Sequence, residues 1–108
     1  MDWRAEFEAE LDRARKARLA GNEGRARVCA RRAAGLAARR YFESKGLNMP
    51  KAGALDRLKR LWLDPELPPE TLQVIDHLTE SVDEAFRLPP GVDLIADARR
   101  LSTLLGQD

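Results

Sequence analysis

The sequence is poor in the residue types that most catalytic and metal sites require. Its 108 residues contain one cysteine and one histidine, and aromatic residues make up only 6% of the chain. It has no Cys/His spacing typical of a metal site, no glycine-rich phosphate loop and no Ser/His/Asp grouping. The lone Cys29 excludes an internal disulfide and is typical of a reducing compartment. We therefore expect no metal, no cofactor and no catalytic residue, and an enzyme is the least favoured function class.

Long hydrophobic runs are also absent. No apolar stretch approaches the roughly 20 residues of a membrane-spanning helix. The first ten residues, MDWRAEFEAE, are too acidic for a signal peptide. With 44% apolar and 34% charged residues, the chain is expected to form one cytoplasmic domain over residues 1–108, with no membrane partner.

The net charge of +1 conceals an uneven distribution. Residues 13–51 contain twelve basic and two acidic residues, a net charge of +10. Residues 1–12 have one base and five acids, and residues 52–108 have six bases and eleven acids, giving net charges of −4 and −5. Such asymmetry indicates either an anionic partner or internal pairing between the blocks, and the sequence leaves both open.

A helical hairpin is the main element that the pattern predicts. Residues 24–45, GRARVCARRAAGLAARRYFESK, read as one long helix with alanines on a narrow face. A first helix from Asp2 to Ala20 places Trp3, Phe7 and Leu11 on one stripe. Gly21 and Asn22 are suited to end the first helix and cap the second. The short turn makes the two helices antiparallel, with the aromatic stripe packed on the alanine face.

Three further helices complete the predicted bundle, and no strand pattern appears. The third runs from Lys51 or Ala52 to Leu63, the fourth starts near Pro69, and the fifth runs from Asp93 to Leu105. Their expected core residues are Leu55, Leu58, Leu61 and Trp62, then Leu72, Ile75, Leu78, Val82 and Phe86, then Ile95, Ala98, Leu101 and Leu105. We expect an all-α, up-and-down bundle of four to five helices built on the helix 1–helix 2 hairpin.

The arginines of the long helix are the candidate ligand-binding residues. Arg25, Arg32 and Arg39 are seven residues apart and share one flank, whereas Arg27 and Arg31 form the other. Arg40 projects into the apolar arc and is expected to reach water by snorkelling. These six residues form the predicted anion-binding surface.

A thin apolar strip lies opposite the alanine face. Val28, Gly35 and Phe42 follow one another at seven-residue spacing. Either another helix of this chain or a partner chain can cover such a strip, and the sequence does not decide between them. If a partner covers it, these three residues form the interface.

His77 is expected on the exposed side of helix 4. Asp76, Glu80, Asp83 and Glu84 lie close to it in the sequence. One histidine among acids is a weak indication of metal binding or acid–base catalysis. We expect instead that this acidic face meets the basic flank of helix 2.

Residues 20–46, AGNEGRARVCARRAAGLAARRYFESKG, resemble the second helix of HEPN domains, which are small helical bundles of prokaryotes. The small-residue pattern AxQAAELALKALL of those helices is matched by apolar residues at Ala30, Ala33, Ala34, Leu36, Ala37 and Phe42. Arg31, Arg32 and Gly35 replace the usual glutamines and acid, and Arg39 stands where lysine is common. Residues 91–105 resemble the last helix of the family, so the resemblance covers about half of the chain.

The resemblance implies a helical bundle, a homodimer and a surface that faces nucleotide or RNA. Some HEPN proteins are RNases that use an Arg-x4-6-His motif, but no arginine precedes His77 at that spacing. The first functional hypothesis is therefore a non-catalytic, dimeric, HEPN-like domain whose arginines bind RNA, nucleotide or another anionic ligand. The second is a helical interaction module that docks an acidic partner protein.

Overall fold

A computed structural model describes residues 2–47, 51–80 and 92–107. These residues form five helices, α1 Trp3–Leu19, α2 Glu23–Ser44, α3 Ala54–Leu61, α4 Glu70–Thr79 and α5 Leu94–Leu104. None of the residues in these three ranges belongs to a strand. The predicted all-α class is confirmed, and the five helices of the described residues agree with the predicted four to five.

The α1–α2 hairpin has the ends that its sequence predicts. Gly21 adopts a φ of 81°, a conformation that a side chain would strain, and the chain reverses there. The side chain of Asn22 then caps α2 by accepting a hydrogen bond from the Arg25 backbone amide at 3.0 Å. The contact between α1 and α2 is the most extensive between any two helices described.

Large side chains from α1 fill the space left by the small residues of α2. Phe7 and Leu11 are fully buried in one cluster with the alanines of α2. The predicted alanine face is wholly buried at Ala26, Ala30, Ala33 and Ala37. Small residues let the helix axes approach closely, so this interface forms the centre of the core.

The helices do not alternate strictly in direction. Ala54, at the start of α3, lies against Gly35, and Asp64, just after α3, accepts a hydrogen bond from Tyr41 at 2.6 Å. From Ala54 to Asp64, α3 thus advances along α2 in the same sense, from Gly35 towards Tyr41. The predicted up-and-down order is therefore wrong between these two helices.

The last two helices both contact α2. At its C-terminal end α4 reaches the middle of α2, since the Leu78 carbonyl accepts a hydrogen bond from Arg31 at 2.8 Å. The start of α5 lies beside α1, where Asp93 pairs with Arg18 at 3.0 Å. Beyond its end, Gln107 donates a hydrogen bond to the Ala37 carbonyl at 2.7 Å. Thus all four other described helices contact α2.

The predicted core of α3 and α4 is only partly correct. Leu58, Leu61, Ile75 and Leu78 are buried as expected. Three other predicted core residues, Leu55, Trp62 and Leu72, are instead 44%, 43% and 36% exposed. The helix α3 ends at Leu61, two residues early, and this short helix turns only one narrow face to α2. Val82 and Phe86, the other two predicted core residues of helix 4, lie outside the described residues.

The buried stripe of α4 begins at Thr71 rather than at Leu72. Thr71 is completely buried, and its hydroxyl oxygen forms no hydrogen bond with any described residue. The hydroxyl of Thr79, by contrast, donates to the Ile75 carbonyl at 2.8 Å. Thr71 therefore places an unsatisfied polar group in the core.

We expect Thr71→Val to stabilise the protein. Valine keeps the shape of threonine and removes the buried hydroxyl, so the free energy of unfolding should rise by about 1 kcal/mol. Urea denaturation of both proteins measures the change. Thr79→Val is the control and should destabilise, because its hydroxyl has a partner. Equal or lower stability of Thr71→Val would show that the hydroxyl is satisfied.

Candidate anion-binding surface

The six predicted arginines of α2 have three different surroundings. Arg27 and Arg31 are drawn into the protein, Arg39 is paired with carboxylates, and Arg25, Arg32 and Arg40 are exposed. These differences follow from the helical repeat of α2, because each arginine projects at a different angle around the helix axis and therefore meets a different neighbouring helix or solvent.

Arg31 caps the C-terminal end of α4. Its Nε donates to the Leu78 carbonyl at 2.8 Å, and another guanidinium nitrogen donates to the Glu80 carbonyl at 3.1 Å. Carbonyls in the last turn of a helix lack intrahelical partners and carry partial negative charge. Burial lowers the pKa of Arg31, and the positive charge of Arg27 lowers it further. Arg27 itself is 8% exposed. Neither guanidinium is therefore presented to a ligand in solution.

Arg39 lies between two carboxylates. Its guanidinium is 3.6 Å from Glu6 of α1 and 3.5 Å from Glu43 of α2. Glu6, from the acidic N-terminal block, thus pairs with an arginine of the basic block. This is the internal pairing that was one of the two interpretations of the charge distribution.

Arg25, Arg32 and Arg40 are the exposed members of the set. None of the three forms an ion pair with a residue that the structure describes. Arg40 reaches water, as the snorkelling prediction expects, and lines a groove of about 300 Å³ with Trp3 and Gln107. Arg25 and Arg32 lie two helical turns apart on one side of α2.

Arg32 also lines a larger groove between α1, α2 and α3. The groove has a volume of about 470 Å³, and Arg13 and Arg57 line it together with Glu6 and Glu10. Arg13, Arg57 and Glu10 were not among the residues predicted from the sequence. In an antiparallel hairpin that turns at residues 21–22, Arg13 and Arg32 lie at nearly the same height along the two helices, so Arg13 could have been predicted as a neighbour of Arg32. Arg57 belongs to α3, and no local sequence pattern predicts its position beside Arg32.

The predicted interface strip is divided. Val28 is 43% exposed, whereas Phe42 is 4% exposed. Gly35 is buried beneath α3, and a Cβ at position 35 would lie 2.5 Å from the Cβ of Ala54. At Gly35 a helix of the same chain provides the cover, which is one of the two arrangements that the sequence left open.

His77 is not fully exposed, and its contact is not on its own helix. Its Nδ1 lies 3.0 Å from Oδ2 of Asp97 in α5, and the two side chains are 25% and 16% exposed. Burial raises the pKa of Asp97, although His77 opposes this shift. This contact with Asp97 of α5 was not among the predicted neighbours of His77, which were all on helix 4. Asp83 and Glu84 lie outside the described residues.

The described residues offer little other chemistry. They contain no cluster of three or more histidine, cysteine or acidic side chains able to hold a metal ion. Cys29 is buried in the core. Among the same residues, no helix is long and apolar enough to cross a membrane.

Comparisons with known proteins add no assignment. No protein-family model matches the chain, and neither a curated protein nor a solved structure does.

Proposed function

We propose that this protein is a non-catalytic, HEPN-like binding domain that engages RNA through Arg25 and Arg32 of α2. The observation that carries the proposal is the exposure of both guanidinium groups on one side of α2, without an ion pair to any described residue. Guanidinium groups bind phosphate through paired hydrogen bonds. Arg27 and Arg31 are drawn into the protein, Arg39 is paired with carboxylates, and Arg40 lines a separate groove with Trp3 and Gln107. The proposed surface is therefore narrower than the six-residue set that the sequence suggested.

The contact would be directed at the RNA backbone. Arg25 and Arg32 supply charge, while Tyr41 and Phe42, the aromatic residues of α2, are buried and offer no surface for base stacking. Binding should therefore depend strongly on salt and weakly on base sequence.

The HEPN-like identity, the homodimer and a cytoplasmic location belong to the same proposal. The resemblance of residues 20–46 to the second HEPN helix supports the first two. A single buried cysteine, typical of proteins in reducing compartments, supports the third. Light scattering coupled to size exclusion tests the dimer, and a monomer at high concentration would contradict it.

A protein partner is the second candidate. Val28 lies between Arg25 and Arg32 on the same side of α2 and is 43% exposed. A surface with two cations and an apolar centre suits a partner that presents carboxylates around an apolar side chain. Val28→Asp should abolish this docking, because it replaces the apolar centre of the surface with a charge. If RNA is the ligand instead, the same substitution should weaken binding only by the effect of one added negative charge.

The decisive variant is Arg25→Glu/Arg32→Glu. Reversing two phosphate contacts is expected to weaken binding to a labelled single-stranded RNA by about 100-fold or more at low salt. Fluorescence anisotropy measures the affinity, and circular dichroism confirms that the helices remain intact. Arg60→Glu/Arg100→Glu is the control, matched in charge change, because Arg60 and Arg100 are exposed arginines on α3 and α5. Equal losses in the control and the double variant would refute a specific role for α2.

A further inference from the structure

The outer side of α3 exposes three large apolar side chains. Leu55, Trp62 and Leu63 are 44%, 43% and 66% exposed. Because Trp62 keeps helical backbone angles, a rotation of about 100° per residue places these side chains and Lys59 on one arc of α3. We call these four residues the α3 strip. Single exposed leucines are common on protein surfaces, but an apolar patch that includes a tryptophan is typical of a protein-binding surface.

A groove adjoins the α3 strip at Leu63. Its volume is about 230 Å³, and Leu47, which is also exposed, lines it as well. This volume is below the roughly 300 to 1,000 Å³ of small-molecule sites, so the groove suits one large side chain rather than a complete ligand. The two acids that line it, Asp64 and Glu66, already have partners within the chain. The groove therefore offers a place for one apolar side chain of a partner.

Lys59 gives the α3 strip a positive centre. It lies four residues from Leu55 and four from Leu63, and it is exposed. It forms no ion pair with any residue of the described ranges. Residues 54–61 contain three bases and one acid, a net charge of +2. A carboxylate would pair with Lys59, so the strip is complementary to an acidic partner.

A second copy of this chain and a membrane surface both fit the α3 strip poorly. If two copies packed α3 on α3 about a two-fold axis through the middle of the strip, the two Lys59 side chains would face each other. Like charges placed together across an interface are unfavourable. A lipid surface presents no side chain to fill the groove beside Leu63. An acidic helix avoids both difficulties.

We propose that the α3 strip docks an amphipathic helix of an acidic partner protein, whose apolar stripe covers Leu55, Trp62 and Leu63 and whose carboxylate pairs with Lys59. Apolar residues at positions i, i+4 and i+7 give a helix such a stripe, and one of them fills the groove beside Leu63. The α3 strip shares no residue with the surface of α2 proposed above. The inference therefore goes beyond the proposed function.

A fluorescein-labelled helical peptide of about 18 residues is the probe, with leucines at i, i+4 and i+7 and glutamates flanking them. Fluorescence anisotropy measures its affinity for the full chain. A scrambled peptide of the same composition, and a second peptide with lysine in place of glutamate, should each bind at least about tenfold more weakly. In heteronuclear NMR spectra the indole N–H signal of Trp62 should shift on binding. The signal of Trp3, which packs against the core, should not.

Two substitutions test the residues of the α3 strip. Leu63→Asp should weaken binding of the glutamate peptide by about tenfold or more, because it places a charge in the apolar contact. Leu19→Asp is the matched control with the same charge change, since Leu19 is 89% exposed at the end of α1, and it should leave the affinity unchanged. Lys59→Glu should reverse the preference, so that the lysine peptide binds more tightly than the glutamate peptide. Circular dichroism verifies that the variants fold.

Several results would overturn the proposal. One is no binding of the glutamate peptide at about 100 μM, and another is an equal loss in Leu63→Asp and Leu19→Asp. If phosphatidylserine vesicles bind the chain through Leu63 and the peptide does not, the strip is a membrane surface. If Leu63→Asp dissociates a dimer, the strip is occupied by a second copy.

The RNA surface is tested separately from the α3 strip. At moderate salt, where distant charges are screened, Arg25→Glu/Arg32→Glu should keep its affinity for the glutamate peptide. The same variant should lose RNA binding, whereas Leu63→Asp should retain it. Failure of one proposal is therefore distinguishable from failure of the other.

Discussion

Gly35→Leu is expected to lower the free energy of unfolding by about 3 kcal/mol, because overpacking at a tight helix contact forces the backbones apart. A Cβ at position 35 would lie 2.5 Å from the Cβ of Ala54 and 2.8 Å from its Cα. The second atom belongs to the backbone, so no side-chain rotation relieves the overlap. To fit a larger residue, α3 must move away from α2, which would expose Leu58 and Leu61.

A graded series measures this effect. Gly35→Ala should destabilise by about 1 to 2 kcal/mol, because the overlap outweighs the gain in helix propensity of about 1 kcal/mol. Gly24→Ala is the matched control in the same helix. Its Cβ would meet only the Asn22 side chain at 3.8 Å, so the substitution should be neutral or stabilising. If urea denaturation shows the same change for Gly35→Ala and Gly24→Ala, α3 does not pack on Gly35.

Arg31→Met is expected to lower the free energy of unfolding by about 2 kcal/mol, roughly the contribution of one charged hydrogen bond in a partly buried site. Methionine keeps the apolar stem of the side chain and removes the donors to Leu78 and Glu80. The last turn of α4 then loses its cap, so the loss should be greatest there.

Amide hydrogen exchange locates the effect. Protection in the last turn of α4 should fall more than protection in α1, and urea denaturation gives the total change. The control is Arg25→Met, which removes an exposed arginine of the same helix and should change stability by less than about 0.5 kcal/mol. Equal destabilisation by the two substitutions would contradict the capping role of Arg31.

The hairpin was predictable from sequence because its signals are local. The predicted limits of helix 1, Asp2 to Ala20, lie one residue outside those observed at each end. Gly21 adopts a positive φ because it lacks a side chain, and the side chain of Asn22 caps α2. The apolar periodicity identifies the two helices, and the glycine and the capping residue between them mark where one helix ends and the next begins.

The short helices were less predictable because several faces of each are apolar. Five leucines or tryptophans crowd residues 55–63, more than one face of the eight-residue α3 can bury. Only contact with α2 selects Leu58 and Leu61 and leaves Leu55 and Trp62 exposed. Periodicity identifies an apolar face, but the tertiary structure decides which face is covered.

In the candidate site, too, local features were predictable from the sequence and long-range contacts were not. The sequence placed Arg25 and Arg32 on one flank of α2, which needs only the helical repeat. It did not anticipate that Arg31 caps α4, because a contact across 47 residues leaves no local pattern. The pairing of His77 with Asp97 was missed for the same reason.

The central claim is that Arg25 and Arg32 face phosphate, and the salt dependence of RNA binding tests it most directly. We would titrate the protein into a labelled single-stranded RNA at several salt concentrations and plot the logarithm of affinity against the logarithm of salt. Two phosphate contacts predict a slope of about −1.4, and the slope should be lost in the Arg25→Glu/Arg32→Glu variant. No binding at low salt, or a slope that the double variant leaves unchanged, would contradict the claim and direct the search to a protein partner.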